Sequence, residues 1–397
     1  MGLPALVPPR GRGRRGEQTG WPGWGDAVLG AGLLAVWAYN ARRWRADRAL
    51  AASQRAALHA PAPPLPAAPL VSVLVAAWNE GPGIARHIES VLGLAYPHRE
   101  YILCAGGTDG TLETARRYVR DGVLVLVQAP GEGKQRALRR AFERSSGSIV
   151  YLTDADCVID DVSLERVLAP LIQDGEAAAT GGSIPPPAQR QSSPFAAYQW
   201  AVQQYGLARA PAYGEGLLGR NAAVRRDALE ACGAFSAPAP TGTDYHLAKA
   251  LRRQGYRIRT VPHSLVVTPY ASGWAGYARQ QRRWLRNVVV LGAQSGARPE
   301  VRASLQTSLL GLTMLLGGAT LFSGPGATLP FALWCLGLAQ SMGAKLRYLN
   351  FGRLLDGQGP APLLRSLLLT LSYSLGEFAV WALPLLDLPF AARRRRW

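Results

Sequence analysis

Four short clusters in this chain carry side chains able to do chemistry. The first is Thr153-Asp154-Ala155-Asp156, two carboxylates flanking one residue at the end of an apolar, β-branched run. Residues two apart on a strand point to one face, and where the chain turns both carboxylates can reach one cation. A hard ion such as Mg2+ or Mn2+ takes few carboxylates and keeps positions open for phosphate oxygens. An ordinary strand-end turn, where aspartate is common, has the same composition. The second cluster is Thr243-Asp244-Tyr245-His246-Leu247, ahead of a helical stretch ending near Gly255. Asp244 can serve as a general base toward a hydroxyl, or Thr243 or Asp244 can simply cap the helix. The third is Gln280-Gln281-Arg282-Arg283-Trp284. A guanidinium grips a diphosphate bidentately, and an indole offers a flat face to a sugar. A juxtamembrane basic helix with an interfacial Trp reads the same way. The fourth is Gly131-Glu132-Gly133-Lys134-Gln135. Glycines before a helix expose backbone amides to a phosphate, and Lys134 adds charge. The full Walker pattern is missing, which argues against ATP hydrolysis.

The elements around these clusters alternate. VSVLVAAW, between Pro69 and Asn79, is a β-branched strand. A helix is expected from about Pro82 to Leu94, a strand at Tyr101–Ala105 and a helix at Gly110–Asp121. Next come a strand at Val123–Val127, a helix at Lys134–Arg144, and the strand leading into Asp154. Strands and helices joined by short links imply an α/β fold with parallel strands and helical crossovers. Ligands of such sheets lie at the carboxyl ends of the strands, which is where the Asp154–Asp156 pair falls.

The chain has 397 residues and a net charge of +18, with 48% hydrophobic and only 18% charged residues. Its basic residues cluster at Arg10–Arg15, Arg42–Arg48 and Arg393–Arg396. These groups flank apolar runs, which favours anionic lipid over nucleic acid as the partner. Cys104, Cys157, Cys232 and Cys335 show no CxxC or zinc spacing, so they read as single packed thiols of a reducing compartment. Residues 1–25 form a flexible basic N-terminus. Residues 26–45 read as a membrane anchor, since RRWR after the apolar run opposes translocation as a signal peptide. Residues 46–69, with APAPPLPAAP at 60–69, read as a linker. Residues 70–297 form the α/β domain, 298–390 carry membrane segments, and 391–397 are a basic tail. The long apolar runs are Leu305–Phe322, Leu329–Leu346 and Leu363–Leu386, with a Gly324–Pro325 turn between the first two. An odd number of C-terminal spans would place Arg393–Arg396 outside, so a hairpin at Gly376–Glu377 or an interfacial run is expected. Glu377 within an apolar run requires a partner or a polar depth.

Seven motifs in order carry a family resemblance: VSVLVAAWNE, GGTDGT, GEGKQRAL, YLTDADC, GRNAAVRRDAL, TDYHLAKALRRQGY and QQRRW. Over about residues 70–295 the chain resembles the inverting family 2 glycosyltransferases of GT-A fold. With its flanking apolar runs, it is similar to the membrane-bound branch that includes cellulose, chitin and hyaluronan synthases. The resemblance implies a GT-A, Rossmann-like, mostly parallel sheet with one N-terminal and about three C-terminal transmembrane helices. It implies Asp154 and Asp156 as the metal-holding DxD with Mg2+ or Mn2+. Asn79, Glu80, Lys134, Asp154 and Arg283 are the implied donor contacts. Asp244 is implied as catalytic base, and Gly219, Asn221, Gln280 and Trp284 as acceptor contacts.

Two positions depart from the family pattern. Cys104 and Ala105 stand where an aspartate pair is usual, which leaves the nucleobase open, with uracil the default. Thr243 replaces the glutamate of the TED motif, so Asp244 lacks its carboxylate neighbour. Asp109 is expected to cap the helix after Gly110. The resemblance implies a nucleotide-sugar donor, a lipid-linked or saccharide acceptor, and a multi-pass protein of the cell membrane with a cytoplasmic catalytic domain. Few C-terminal spans favour a lipid acceptor, whereas QxxRW favours a processive polysaccharide synthase. Two readings come from other classes. A haloacid-dehalogenase-type phosphatase would use Asp154 as nucleophile, and a degenerate transferase domain would serve as a non-enzymatic membrane scaffold.

Overall fold

The computed structural model describes residues 24–236, 242–322 and 328–387. Its elements in chain order are α1 (Trp24–His59), β1 (Val71–Trp78), α2 (Gly81–Leu92), β2 (Arg99–Gly106), α3 (Thr111–Arg116), β3 (Val123–Val127), α4 (Gly133–Glu143), β4 (Ile149–Leu152), α5 (Asp161–Gln173), β5 (Ala178–Ile184), α6 (Pro187–Ser192) and α7 (Pro194–Ala208). There follow β6 (Tyr213–Gly214), β7 (Ala222–Arg225), α8 (Arg226–Ala231), α9 (Thr243–Arg253), β8 (Ile258–Val267), α10 (Trp274–Ser295), α11 (Arg298–Gly317), α12 (Thr328–Leu355) and α13 (Leu363–Asp387).

The strands form one sheet in the order β3-β2-β1-β4-β7-β5-β8-β6. β1 pairs in parallel with β2 and β4, β2 with β3, and β5 with β8. β7 runs antiparallel between β4 and β5, and β6 is antiparallel to β8. The sheet is therefore mixed, with its parallel half built from the first four strands. β1 is central, and Val71, Val73, Leu74 and Val75 are fully buried, as expected of a strand covered by helices on both faces. Each such aliphatic side chain contributes about 1.5–3 kcal/mol of burial.

Element boundaries differ from expectation where side chains give a helix nothing to pack on. α3 stops at Arg116 rather than near Asp121. Val119 beyond it is 57% exposed, and Gly122 takes a φ of 78°. α1 continues to His59 through the segment expected to be linker, and ends ahead of the residue preceding Pro61. Residues 60–69 are neither helix nor strand, yet they are pinned to the domain. Gln173 Nε2 donates to Pro64 O (2.7 Å) and Tyr96 Oη to Pro69 O (2.7 Å). Asp47 on α1 is buried and accepts from Arg347 Nε (2.7 Å) and Tyr205 Oη (3.1 Å), and it also pairs with Arg209. Such a pair is costly to break, so α1 is fixed against α7 and α12.

Among the described residues two helices are long and apolar enough to cross a membrane by length and composition, Arg298–Leu321 and Leu363–Leu385. α1 and α12 do not meet that measure, so two of the four expected spans have a counterpart by it. α12 carries Lys345, Arg347 and Arg353 within its length. α13 is continuous through Gly376–Glu377, which removes the expected hairpin. Glu377 has the partner its position requires: Lys345 Nζ lies 2.9 Å from Oε2, and Tyr198 and Tyr277 donate to Oε1 at 2.7 and 3.0 Å. Residues 1–23 of the expected N-terminal arm (1–25), the Gly324–Pro325 turn and the basic tail lie outside the described residues.

Candidate active site

A cleft of about 960 Å³ opens at the carboxyl end of the parallel strands. One wall is the start of α4 with the loop before it, where Gly131 and Gly133 take φ of 74° and 76°. Those left-handed turns suit glycine and leave the helix amides facing the cleft. Glu132, between them, also lines the cleft, with its charge offset by a partner. Its carboxylate accepts from Ala129 N (2.8 Å) and pairs with Arg140 Nη1 (2.9 Å). The helix N-terminus therefore keeps its anion-attracting character. The opposite wall is built from Gly216–Leu218, Arg220 and the first turn of α9. Arg283, Trp284, Asn287 and Val288 of α10 close one end.

β4 ends at Leu152, so Asp154 and Asp156 sit on a turn rather than on a strand, with Cys157 N donating to Asp154 O (3.0 Å). His87 Nδ1 donates to Cys157 O (2.7 Å) and holds that turn from beneath. Asp154 faces the cleft. It pairs with Lys134 and lies 3.9 Å from Arg220 Nε. Burial pushes the Asp154 carboxyl up, but Lys134, Arg220 and Arg283 outweigh it and hold the group below the usual carboxylate range. Asp156 is not part of that lining. Its charge falls instead on Glu80, whose carboxyl is pushed up to about 7 by burial and by Asp156, Asp154 and Asp109. This corner carries an excess of carboxylates, which fits a divalent cation. Among the described residues no three His, Cys, Asp or Glu side chains converge to cage one. A hard ion held by two carboxylates and completed by ligand oxygens matches that set.

Asp244 lies in the first turn of α9, but the N-cap is Gly242, with φ 69° and no side-chain cap. Asp244 Oδ1 accepts from Tyr245 N (2.9 Å), and its Cβ would stand 3.0 Å from a Cβ built on Gly219. A side chain at 219 would thus crowd Asp244, which explains the small residue there.

The remaining expected residues divide. Lys134, Arg283 and Trp284 meet in the cleft, with Trp284 41% exposed. Gln280, one turn earlier on α10, is outside the lining. Asn79 sits at the end of β1 with φ 59°, and its Oδ1 accepts from Thr108 N (2.8 Å). The N-cap of α3 is Gly110, with no side-chain cap, so Asp109 is not the cap expected of it; its Oδ1 accepts from Thr111 N (3.2 Å) and its Oδ2 from Gly81 N (2.8 Å). These bonds lace the loops after β1 and β2 into one rim. Asn221 is a correction. It is fully buried, with Nδ2 3.1 Å from Gly182 O, Ser264 O and Ser264 Oγ, while Oδ1 accepts from Tyr151 Oη (3.1 Å). Its amide braces β4, β5 and β8, leaving nothing to contact an acceptor. Arg220 was not anticipated, although a lone guanidinium in an otherwise small stretch, GRNAA, was a usable signal.

Residues 67–287, more than half of the chain, match the family model described as glycosyltransferase like family 2. The chain is 27% identical over 209 residues to glycosyltransferase AglE of Haloferax volcanii, covering 50% of this chain and 66% of that one. It is 25% identical over 238 residues to the probable glycosyltransferase YdaM of Bacillus subtilis, covering 55% of each. It is 28% identical over 249 residues to an N-acetylglucosaminyltransferase of Rhizobium meliloti, covering 56% of each. The matches thus span about half to two thirds of these relatives. Among solved structures, the mannosyltransferase PcManGT of Pyrobaculum calidifontis, in complex with GDP-Man and Mn2+, is 20% identical. It covers 94% of this chain and 98% of that one at a TM-score of 0.48. On the family match, the chain belongs to the glycosyltransferase-like family 2.

Proposed function

We propose that this protein is a membrane-bound inverting glycosyltransferase that moves a sugar from a nucleotide-sugar donor to a lipid or lipid-linked acceptor. The observation that carries the reading is the single cleft shared by Asp154, Lys134, Arg220, Arg283 and Asp244, set against a helix N-terminus. The donor diphosphate lies on the α4 amides, with Lys134, Arg220 and Arg283 offsetting its charge. Asp154 and Asp156 would hold a Mg2+ or Mn2+ ion, which would supply positive charge for the leaving diphosphate. Asp244 accepts the proton of an acceptor hydroxyl as that oxygen attacks the anomeric carbon, giving inversion in a single displacement. Trp284, at the cleft's open end, offers the acceptor a face.

The membrane placement is supported by apolar side chains that no neighbour covers. Leu34 and Trp37 on α1 are 70% and 71% exposed, and Leu316 on α11 and Leu364 on α13 are 67% and 73%. Patches of this kind mark contact with lipid or protein. Arg42–Arg48, beside the α1 patch, favour the cytoplasmic side. The test is nucleoside diphosphate release by detergent-purified protein from UDP-, GDP- and dTDP-sugars with Mn2+ or Mg2+, with and without a membrane lipid extract. Release from one donor that requires both metal and lipid is the expected result. Lipid-independent growth of a sugar ladder replaces this reading with the processive one.

A further inference from the structure

We propose that Glu300 positions the Asp244 carboxylate from outside the cleft, through Tyr245 and Lys249, an inference that rests on Asp244 as the base. α9 starts without a side-chain cap, since its N-cap is Gly242. Contacts further along the helix must therefore set the rotation of its first turn, and with it the direction of Asp244. Tyr245 and Lys249 are four residues apart, so they share one face of α9. Both reach Glu300 in the first turn of α11. Tyr245 Oη donates to Glu300 Oε2 (2.8 Å), and Lys249 Nζ pairs with Glu300 Oε1. Asp244 lies one residue before Tyr245, about 100° around the helix, and lines the cleft.

The knot around Glu300 is closely built. Lys249 is only 8% exposed, and an ammonium at that depth needs a partner. Its Nζ also donates to Glu215 O (3.2 Å) and stands 3.8 Å from Glu215 Oε2. Glu215 leads into Gly216–Leu218 of the cleft wall. The Lys249–Glu300 pair thus ties both parts of that wall, α9 and the 216–218 segment, to the start of α11. On α10, Gly292 leaves room for the phenol: a Cβ there would meet Tyr245 Oη at 3.0 Å and Val301 Cγ2 at 2.8 Å. Tyr245 N in turn donates to Asp244 Oδ1 (2.9 Å), so fixing Tyr245 fixes the carboxylate beside it.

Glu300 is itself well placed to hold still. A carboxylate in the first turn of a helix is favoured by the helix dipole. It also stands at the start of Arg298–Leu321, one of the two described helices long and apolar enough to cross a membrane. On the membrane reading, the base is therefore registered against a membrane helix. A side chain at the rim of a helix lies about 5–6 Å from the axis, so a rotation of about 10° shifts it by about 1 Å. A shift of that size at a reacting group costs roughly a hundredfold. Glu300 does not line the cleft, so its part is positioning rather than chemistry.

The experiment measures nucleoside diphosphate release from the preferred donor sugar by the full chain in detergent, with Mn2+ and membrane lipid, alongside equilibrium affinity for the nucleoside diphosphate. Glu300→Ala is expected to lower kcat by about tenfold or more with that affinity unchanged. Glu300→Gln, whose amide can still bond both Tyr245 and Lys249, is expected to recover most of the lost rate. In an Asp244→Asn background, Glu300→Ala is expected to cost almost nothing more, a pattern that general loosening of the fold would not reproduce. Should Glu300→Ala fail to fold, Tyr245→Phe carries the test. It keeps the ring near Lys249 Nζ (5.3 Å) and removes only the hydroxyl, with about fivefold expected loss of kcat that again vanishes in the Asp244→Asn background. Wild-type kcat in Glu300→Ala, or in Tyr245→Phe where that variant stands in, overturns the inference. So does a loss that persists in full in the Asp244→Asn background. An Asp244→Asn protein that turns over like wild type removes the base reading and the inference together, whatever the Glu300 variants do.

Discussion

Adding one methyl group at Gly219 should slow turnover without unfolding the protein. Gly219 is not among the positive-φ positions, so its backbone accepts alanine. The new Cβ would lie 3.0 Å from Asp244 Cβ and 3.6 Å from Cγ and Oδ2. Ordinary contact begins at 3.4 Å, so the Asp244 side chain must retreat by a few tenths of an ångström. It has little freedom to do so, because Oδ1 is held by Tyr245 N in the first turn of α9. A misplacement of ~1 Å at a reacting group costs roughly a hundredfold, so about half of that displacement should cost about tenfold in kcat, or ~1.4 kcal/mol. The melting temperature, the donor KM and the affinity for nucleoside diphosphate should stay close to wild type. In an Asp244→Asn background the same change should add almost nothing, since the base it disturbs is already gone. Steady-state kinetics on the two single variants and the double variant decide it. A fully active Gly219→Ala, or a tenfold loss that persists in the Asp244→Asn background, refutes the idea that Gly219 makes room for a base.

Other predictions follow the same geometry. Asn221→Ala should destabilise by about 3 kcal/mol, because it leaves buried partners on Tyr151 and Ser264 unpaired; denaturant melts measure this, and the folded fraction should keep the wild-type acceptor KM. Arg220→Met should weaken nucleoside diphosphate binding by about tenfold and leave stability little changed, as titration calorimetry would show. The Glu80 carboxyl, raised to about 7 from 4.5, retains a proton in the native state that the unfolded chain has already lost. Its contribution to stability is therefore fully present below the unfolded value and lost as pH rises through about 7. Glu80→Gln should accordingly gain melting temperature relative to wild type as pH is raised from about 5 to about 8. Saturating Mn2+ should shrink that gain, because a nearby cation favours the ionised carboxylate.

The parallel half of the sheet was legible because its strands are continuous β-branched runs closed by turn residues; Val123–Val127 appears with the expected limits. The cleft was legible in part, since Lys134, Asp154, Asp244, Arg283 and Trp284 each belong to a short local pattern. What escaped was long-range. Asn221 looks like a loop amide until the fold puts Tyr151 and Ser264 around it. Arg220 gains meaning only from its distance to Asp154, 66 residues earlier. α1 was cut short at the expected linker because Asp47 reads as a surface charge until Arg347, 300 residues away, pairs with it. Glu377 inside an apolar run left the topology open for the same reason, because its partner Lys345 lies on another helix.

Whether Asp244 is the base is decided by comparing wild type and Asp244→Asn in one experiment. Both proteins, purified in detergent with Mn2+, are assayed for nucleoside diphosphate release from the preferred donor sugar in the presence of membrane lipid, and for nucleotide affinity. Nearly equal affinity is expected, with steady release by wild type and a loss of at least about a hundredfold in the variant. Undiminished release by Asp244→Asn would make that carboxylate a mere helix-start residue, and the base would have to be sought elsewhere in the cleft.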